Sequence, residues 1–514
     1  MTALQAQLRD LSPAVLAGMR RGIEKESLRV RSDGRLAMTP HPRELGAALT
    51  HPHITTDFSE AQLEFITGVH TSADACLDEL EDLHRFAYRH LGDEMLWCAS
   101  MPCDLPEEDA IPIARYGRSN VGRAKTVYRI GLSHRYGRRM QLICGVHYNF
   151  SLPDDAWPFA QHRDANSAYF ALIRNFRRRA WLLLYLFGAS PVACASFVKD
   201  RSHELCELAP GIVYLPYATS LRMGRLGYLS DAQEALAVSY NDLESYAASL
   251  DAALTQPHAP YAQIGIREGD DYRQLATSLL QIENEFYSTI RPKRVVVPGE
   301  RPLRTLRERG VQYVEVRAID LDPFCPVGIT AQTARFLDIF LLHCLLAESP
   351  PDTPAEIKAI ARNKVKVAAR GREPGLQLEH NGSNVNLREW ARGLLAECAP
   401  IAAALDAVHG TSAHHQALVA AIVASDEPAS LPSARVLRET TERFAGSYFD
   451  FARAYSLQHK GVLQQQPLAA SIETHFVTMA QDSVDKQQMI EAKDDAPFET
   501  YRQQYLAPAS LRAR

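Results

Sequence analysis

This 514-residue chain lacks most of the signatures that assign a sequence to a large protein class. Its nine cysteines include no C-x-x-C pair, which removes the usual zinc modules and the thioredoxin-like redox motif. They are odd in number and scattered over positions 76, 98, 103, 144, 194, 206, 325, 344 and 398. That pattern predicts mostly reduced thiols in a cytoplasmic protein, with Cys98 and Cys103 the nearest pair. The formal net charge is −5, so there is no basic surplus to recruit nucleic acid or an anionic membrane. Residues 1–21 lack a basic start, an apolar run and a small-residue cleavage site, and no secretory signal is expected. Residues 180–198 carry no charge and follow Arg177, Arg178 and Arg179, but Gly188, Ser190, Pro191 and Ser196 interrupt them. A buried helix followed by a turn and a strand is expected there, not a membrane span. No G-x-x-x-x-G-K-[ST], G-x-G-x-x-G or G-x-S-x-G is present, so P-loop, Rossmann and α/β-hydrolase readings lose their warrant. The run from His203 to Glu207 begins like a zinc-protease helix, but Glu207 stands where the second histidine belongs.

What is present is an ordinary globular composition, 46% hydrophobic and 23% charged, in a chain too long for one small core. Residues 1–330 read as an α+β sheet region, and residues 331–514 as mainly helical and packed against it in one integrated catalytic unit. Long helices are expected over 165–187, with Arg174 and Arg177 to Arg179 on a solvated face, and over 330–346, 354–370, 386–409, 415–425 and 434–459. Strands are expected over 141–152, 278–287, 290–294 and 311–320, with a hairpin turn at 31–34.

Three strand-like stretches place chemically capable residues two apart between apolar neighbours. Glu24 and Glu26, His147 and Asn149, and Glu315 and Arg317 would each share one face of a strand. Unpaired charge is costly in a core, so a sheet with such a face is suited to a ligand. Asp57 and Glu64 lie in similar apolar settings. Each carboxylate could form a structural ion pair with one of the many arginines. Taken together with His147, they read as ligands for a hard divalent cation, Mg²⁺ or Mn²⁺. Arg317, with its planar fork, suits a transferring phosphoryl group, and the Arg291–Arg294 segment either is solvated or neutralises ATP phosphates.

In order along the chain, these stretches resemble one family. The residues are 21–30 (RGIEKESLRV), 49–51, 54–67 (ITTDFSEAQLEFIT), 100–103 (SMPC), 145–152 (GVHYNFSL), 185–191, 214–222 (YLPYATSLR), 281–285 with Tyr287, 290–294 and 313–317 (YVEVR). The sequence is similar to the proteobacterial type of glutamate–cysteine ligase, whose fold is related to glutamine synthetase. The resemblance implies a curved, mainly antiparallel sheet bearing the active site, surrounded by helices. It implies ATP-dependent joining of the L-glutamate γ-carboxylate to the L-cysteine amine through a γ-glutamyl phosphate, giving γ-glutamylcysteine, ADP and phosphate. By this resemblance Glu24, Glu26, Asp57, Glu64, His147 and Glu315 hold Mg²⁺ or Mn²⁺, and Arg129 and Arg317 flank the transferring phosphoryl group. Asn149 and Arg222 hold glutamate; Tyr128, Leu132, Gln141, Tyr228 and Tyr287 accept the cysteine side chain; Lys293 and Arg294 meet the nucleotide. The expected partners are L-glutamate, L-cysteine and ATP, with no nucleic acid or membrane, for a monomer in the cytoplasm. Some relatives carry a second ATP-using domain that adds glycine; only the first step of glutathione synthesis is expected here. Rival readings are a metal-dependent phosphohydrolase, a ligase or guanidino kinase of the same fold with another acceptor, and a non-catalytic scaffold.

Overall fold

The alternation of the polar strands is realised in a seven-stranded sheet, seen in a computed structural model that describes residues 3–512 apart from 158, 160–163, 228–230, 235 and 298. Its strands are β1 (Arg20–Val30), β2 (Ile54–Thr56), β3 (Gln62–Ile66), β4 (Met95–Leu96), β5 (Gly145–Ser151), β6 (Ile290–Lys293) and β7 (Tyr313–Asp320). The order is β6-β7-β5-β1-β3-β2, with β4 beside the far end of β1, and every pairing is antiparallel. β1 is central because its odd-numbered residues are buried beneath helices while Glu24 and Glu26 face the other way.

The covered face rests on α1 (Ala73–His90), which packs on β1 and β3, and on α3 (Ala165–Phe187), which packs on β6 and β7. Between these two in the chain comes α2 (Asn120–Tyr136), and after them α4 (Ala331–Leu346), which touches β5. Ile23, Val146, Tyr148, Phe150, Val314 and Val316 fill this side. Two buried cations share it. Arg21 pairs with Asp338 of α4 at 3.1 Å, and the Tyr148 hydroxyl donates to the same carboxylate at 2.8 Å. Lys25 instead lies beside Ser27 and 3.0 Å from His84 Nε2, and burial lowers its ammonium pKa to about 8.

Helix α3 spans the residues expected, and the strand Val192–Cys194 follows it as expected. Its arginines do not form a solvated face. Arg174 is buried and donates to the Tyr240 and Asn241 carbonyls, while Arg177 and Arg178 pair with Asp352 and Glu356, tying α3 to the next layer. The chain continues through α5 (Pro354–Arg370), α6 (Leu387–His409), α7 (Ala413–Asp426) and α8 (Phe498–Leu506). The helix expected over 434–459 is two, Pro432–Arg443 and Tyr448–Gln465, because Ala445 and Gly446 both adopt positive φ. The expected strand over 141–152 starts only at Gly145, after a 3₁₀ turn at Met140–Leu142.

No strand forms over 278–287. Gln281, Glu283 and Glu285 would have shared one strand face; instead Glu285 pairs with Arg135 at 2.8 Å and Glu283 with Arg301 at 2.8 Å around a 3₁₀ turn. Seven cysteines are free, but Cys103 and Cys194 are joined in a disulfide. Cys98, nearest in sequence, is buried and donates to the Ala452 carbonyl instead. No described helix is long and apolar enough to cross a membrane.

Candidate active site

The open face of the sheet collects the acidic residues by register. Glu24 stands opposite His147, Glu26 opposite Glu64, Glu64 opposite Thr55, and Glu315 opposite both Asn149 and Arg291. Each polar residue therefore arrives on the same surface from a different strand. The pairing of β7 with β5 slips by one residue between Val316 and Ile319, a bulge next to Arg317 that turns the strand locally. Arg317 Nη1 lies 3.1 Å from Glu315 Oε1, and Lys293 Nζ lies 3.5 Å from the same oxygen.

His147 is the hub. Its Nδ1 lies 3.2 Å from Glu24 and 3.7 Å from Glu315, and its Nε2 lies 3.7 Å from Glu26. Asn149 donates to the other Glu24 oxygen at 2.9 Å, and the Gly145 amide donates to Glu26 at 2.8 Å. Ligand atoms of Glu24, Glu64 and His147 all lie within 4.8 Å of one another. Burial, then the neighbouring Glu24, Asp57 and Glu26 charges, hold the Glu64 carboxyl well above its ordinary range; burial and Asp57 also raise Glu26. Glu315 is buried as well, yet Lys293, Arg317 and His147 hold it well below that range. For Glu24, burial and Glu315 act upward but the His147 bond and Lys293 leave it lowered. Three buried atoms here, His147 Nε2, Asn149 Oδ1 and Glu315 Oε2, have no hydrogen-bond partner. Carboxylates crowded enough to raise one another, beside an imidazole and unmatched acceptors, fit a divalent cation of the Mg²⁺ or Mn²⁺ kind.

The cleft above this face has a volume of about 440 Å³. One wall is α2, capped by Ser119, whose residues Val121, Ala124, Lys125, Tyr128, Arg129 and Leu132 recur at three- and four-residue spacing and line it together. Arg129 packs over the Tyr116 ring at 4.5 Å, donates to the Asp57 carbonyl and lies 3.7 Å from the Asp57 carboxylate. Gln141 donates to the Tyr287 hydroxyl at 3.1 Å. Leu275, Val296, Val297 and two tyrosines of α8, Tyr501 and Tyr505, whose rings stack 5.8 Å apart, complete the lining beside Glu283 and Glu300.

All six residues expected at the metal line the cleft, with Tyr128, Arg129, Leu132, Gln141, Tyr287, Lys293 and Arg317. Asn149 reaches it only through Glu24. Arg222 lies below it, packed so tightly on Gly145 that a Cβ there would stand 2.1 Å from Nη2, and it lines a small side niche. Arg294 is not among the residues that line the cleft, and it donates to the Arg309 and Gly310 carbonyls. Tyr228 lies outside the described residues. Lys125, Tyr501 and Tyr505 were not anticipated. Lys125 was legible as the helical neighbour of Arg129 at i−4, whereas nothing local marks the tyrosines.

The family model described as glutamate–cysteine ligase matches residues 5–367. The chain belongs to the glutamate–cysteine ligase family. It is 47% identical over 516 residues to a glutamate–cysteine ligase of Alcanivorax borkumensis, covering 98% of each, and 49% identical over 495 residues to one of Pseudomonas aeruginosa, covering 95% and 94%. It also resembles the crystal structure of a glutamate–cysteine ligase from Francisella tularensis in complex with AMP, with a TM-score of 0.91, 36% identity, and 96% and 98% of the two chains covered. A bifunctional glutathione synthetase from Pasteurella multocida shares the fold at a TM-score of 0.73 and 24% identity, over 58% of that longer chain. The α+β fold with its antiparallel sheet is thus that of the ligase family, and the carboxylate face lies within the matched residues.

Proposed function

We propose that this chain joins the γ-carboxylate of L-glutamate to the amine of L-cysteine at the expense of ATP, the first step of glutathione synthesis. The observation that carries the reading is the single sheet face on which Glu24, Glu26, Glu64, His147 and Glu315 converge beside Arg317. A carboxylate resists attack by an amine because oxide is a poor leaving group. Transfer of the ATP γ-phosphoryl to glutamate replaces it with phosphate. Such transfer asks for positioning and charge neutralisation more than for covalent help.

The acidic set would hold Mg²⁺ or Mn²⁺, which when bound neutralises phosphate oxygens. Arg317, held by Glu315 and re-aimed by the bulge, offsets charge on the transferring group, with Arg129 across the cleft. Lys293 adds a cation for the nucleotide phosphates. Gln141, Tyr287, Tyr128 and Leu132 form a pocket, polar at one edge and apolar at the other, suited to the cysteine side chain. Asn149 and Arg222 serve the glutamate. No thiol of the protein lines the cleft among the described residues, so no covalent enzyme intermediate is invoked.

Sheet residues and the C-terminal tyrosines line one cavity of one chain, which supports a single integrated catalytic unit acting as a monomer. ATP and free cysteine as substrates support a cytoplasmic setting. The test is ADP release by the purified protein with Mg-ATP and L-glutamate, with and without L-cysteine, alongside mass detection of the dipeptide. Cysteine-dependent turnover that yields γ-glutamylcysteine is expected. Turnover with another amine only would overturn the acceptor assignment, and no ADP with any amino-acid pair would overturn the ligase reading.

A further inference from the structure

Behind the acceptor pocket lies a buried ion pair that the chemistry leaves unused. Glu285 does not line the cleft, and its side chain and that of Arg135 are both 0% exposed. Each carboxylate oxygen is engaged. Oε1 accepts from Arg135 at 2.8 Å and from the Tyr136 hydroxyl at 2.8 Å, and Oε2 accepts the Gln281 amide at 2.7 Å. Arg135 is engaged in turn by Gln274 and by the Ala276 and Leu279 carbonyls.

The two sides of this network carry the two walls of the pocket. Arg135 and Tyr136 end α2, and Tyr136 continues at four-residue spacing the stripe of Tyr128 and Leu132. Glu285 belongs to the 3₁₀ turn that leads into Tyr287. Further bonds cross the same gap. Gln233 donates to the Tyr136 hydroxyl at 3.1 Å and to the Glu285 carbonyl at 2.9 Å, and accepts the Tyr287 amide at 3.0 Å. Gln281 donates to the Tyr128 carbonyl at 3.3 Å, and a Cβ on Gly131 of α2 would stand 2.1 Å from its Oε1. The Tyr136 and Tyr287 rings meet edge to face, 5.7 Å apart. Packing alone could hold these elements together, since apolar residues of similar volume often serve as well as a buried ion pair. What a guanidinium on a carboxylate adds is a fixed distance and angle.

We propose that Glu285 is a positioning residue that sets the size of acceptor the enzyme takes. By tying the end of α2 to the turn before Tyr287, it fixes the width of the pocket between Tyr128 and Leu132 on one side and Gln141 and Tyr287 on the other. This rests on the ligase reading above and on its acceptor pocket. A pocket of fixed width disfavours one extra methylene by about 10- to 200-fold, and a pocket free to open does not.

The test is steady-state kinetics of the full-length protein with Mg-ATP and L-glutamate, comparing L-cysteine with L-homocysteine, whose side chain is one methylene longer. In Glu285→Gln the KM for cysteine should rise about tenfold, with kcat within about threefold and the KM values for glutamate and ATP within about twofold. The ratio of kcat/KM for cysteine to that for homocysteine should fall about tenfold. Partial unfolding does not produce this, because it removes active enzyme and lowers kcat for both acceptors by one factor. Tyr136→Phe removes one donor to the carboxylate and no charge. It should shift the ratio the same way by about threefold, and it decides the matter if E285Q does not fold. A ratio within about 1.5-fold of wild type in E285Q, or in Y136F where E285Q is insoluble, would overturn the proposal. So would a KM rise confined to glutamate or ATP, or a wild type that uses both thiols equally well. Absence of dipeptide from the wild type with either thiol would instead overturn the ligase reading itself.

Discussion

Glu26 and Glu64 are direct cross-strand partners on β1 and β3, with both carboxylates on the open face. Like charges placed so are destabilising unless a cation lies between them. Glu64→Gln should therefore have opposite effects with and without metal. In EDTA the variant should be more stable than wild type by about 1 kcal/mol, while the Mg²⁺-induced rise in Tm and the ligase activity should be lost. A variant less stable than wild type in EDTA would mean that Glu64 is a structural group.

Arg317 should matter to the chemical step more than to binding. Arg317→Ala is expected to lower kcat about 10²- to 10³-fold, with smaller changes in the KM for either amino acid. Single-turnover measurement of ADP formation checks this, and a change confined to KM would remove Arg317 from the phosphoryl position.

Two histidines outside the cleft are expected to make the fold acid-sensitive. Burial lowers His41 and His51 to about 4, and His51 Nε2 has no hydrogen-bond partner. The unfolded chain protonates both near 6.5. Their contribution is complete above that pH and is lost as the pH falls toward 4. By pH 5 each should have cost about 2 kcal/mol. Urea midpoints at pH 7.5 and 5 in the wild type and in His51→Asn, which keeps an acceptor for the His53 and Ile54 amides, measure this. The variant should show a shallower decline.

The Cys103–Cys194 disulfide closes a loop of 91 residues. Cys194→Ser or a strong reductant should lower stability by about 4 kcal/mol, without changing KM for any substrate, because neither cysteine lines the cleft. Equal denaturation curves with and without reductant would show that the bond does not contribute.

What the sequence made legible was whatever depends on local period. Alternation placed Glu24, Glu26, His147 and Glu315 on one surface before any fold was known, and the bounds of α3 and α5 follow from their own residues. What failed were inferences about partners distant in the chain. Arg174 looks solvated until the Tyr240 and Asn241 carbonyls come beside it. Glu283 and Glu285 mimic a strand because the arginines that hold them, Arg301 and Arg135, lie elsewhere in the sequence. Tyr501 and Tyr505 sit on an unremarkable short helix whose importance comes only from where it docks.

That docking has a consequence for how the protein comes into being. A ribosome makes Glu24 long before Tyr501, yet both border the same cavity. During synthesis the chain passes through a stage in which the acidic strands exist without the two tyrosines that border their cleft. The cleft is then completed late, when α8 docks, and a chain lacking α8 would keep the acidic face of the sheet without its two tyrosines.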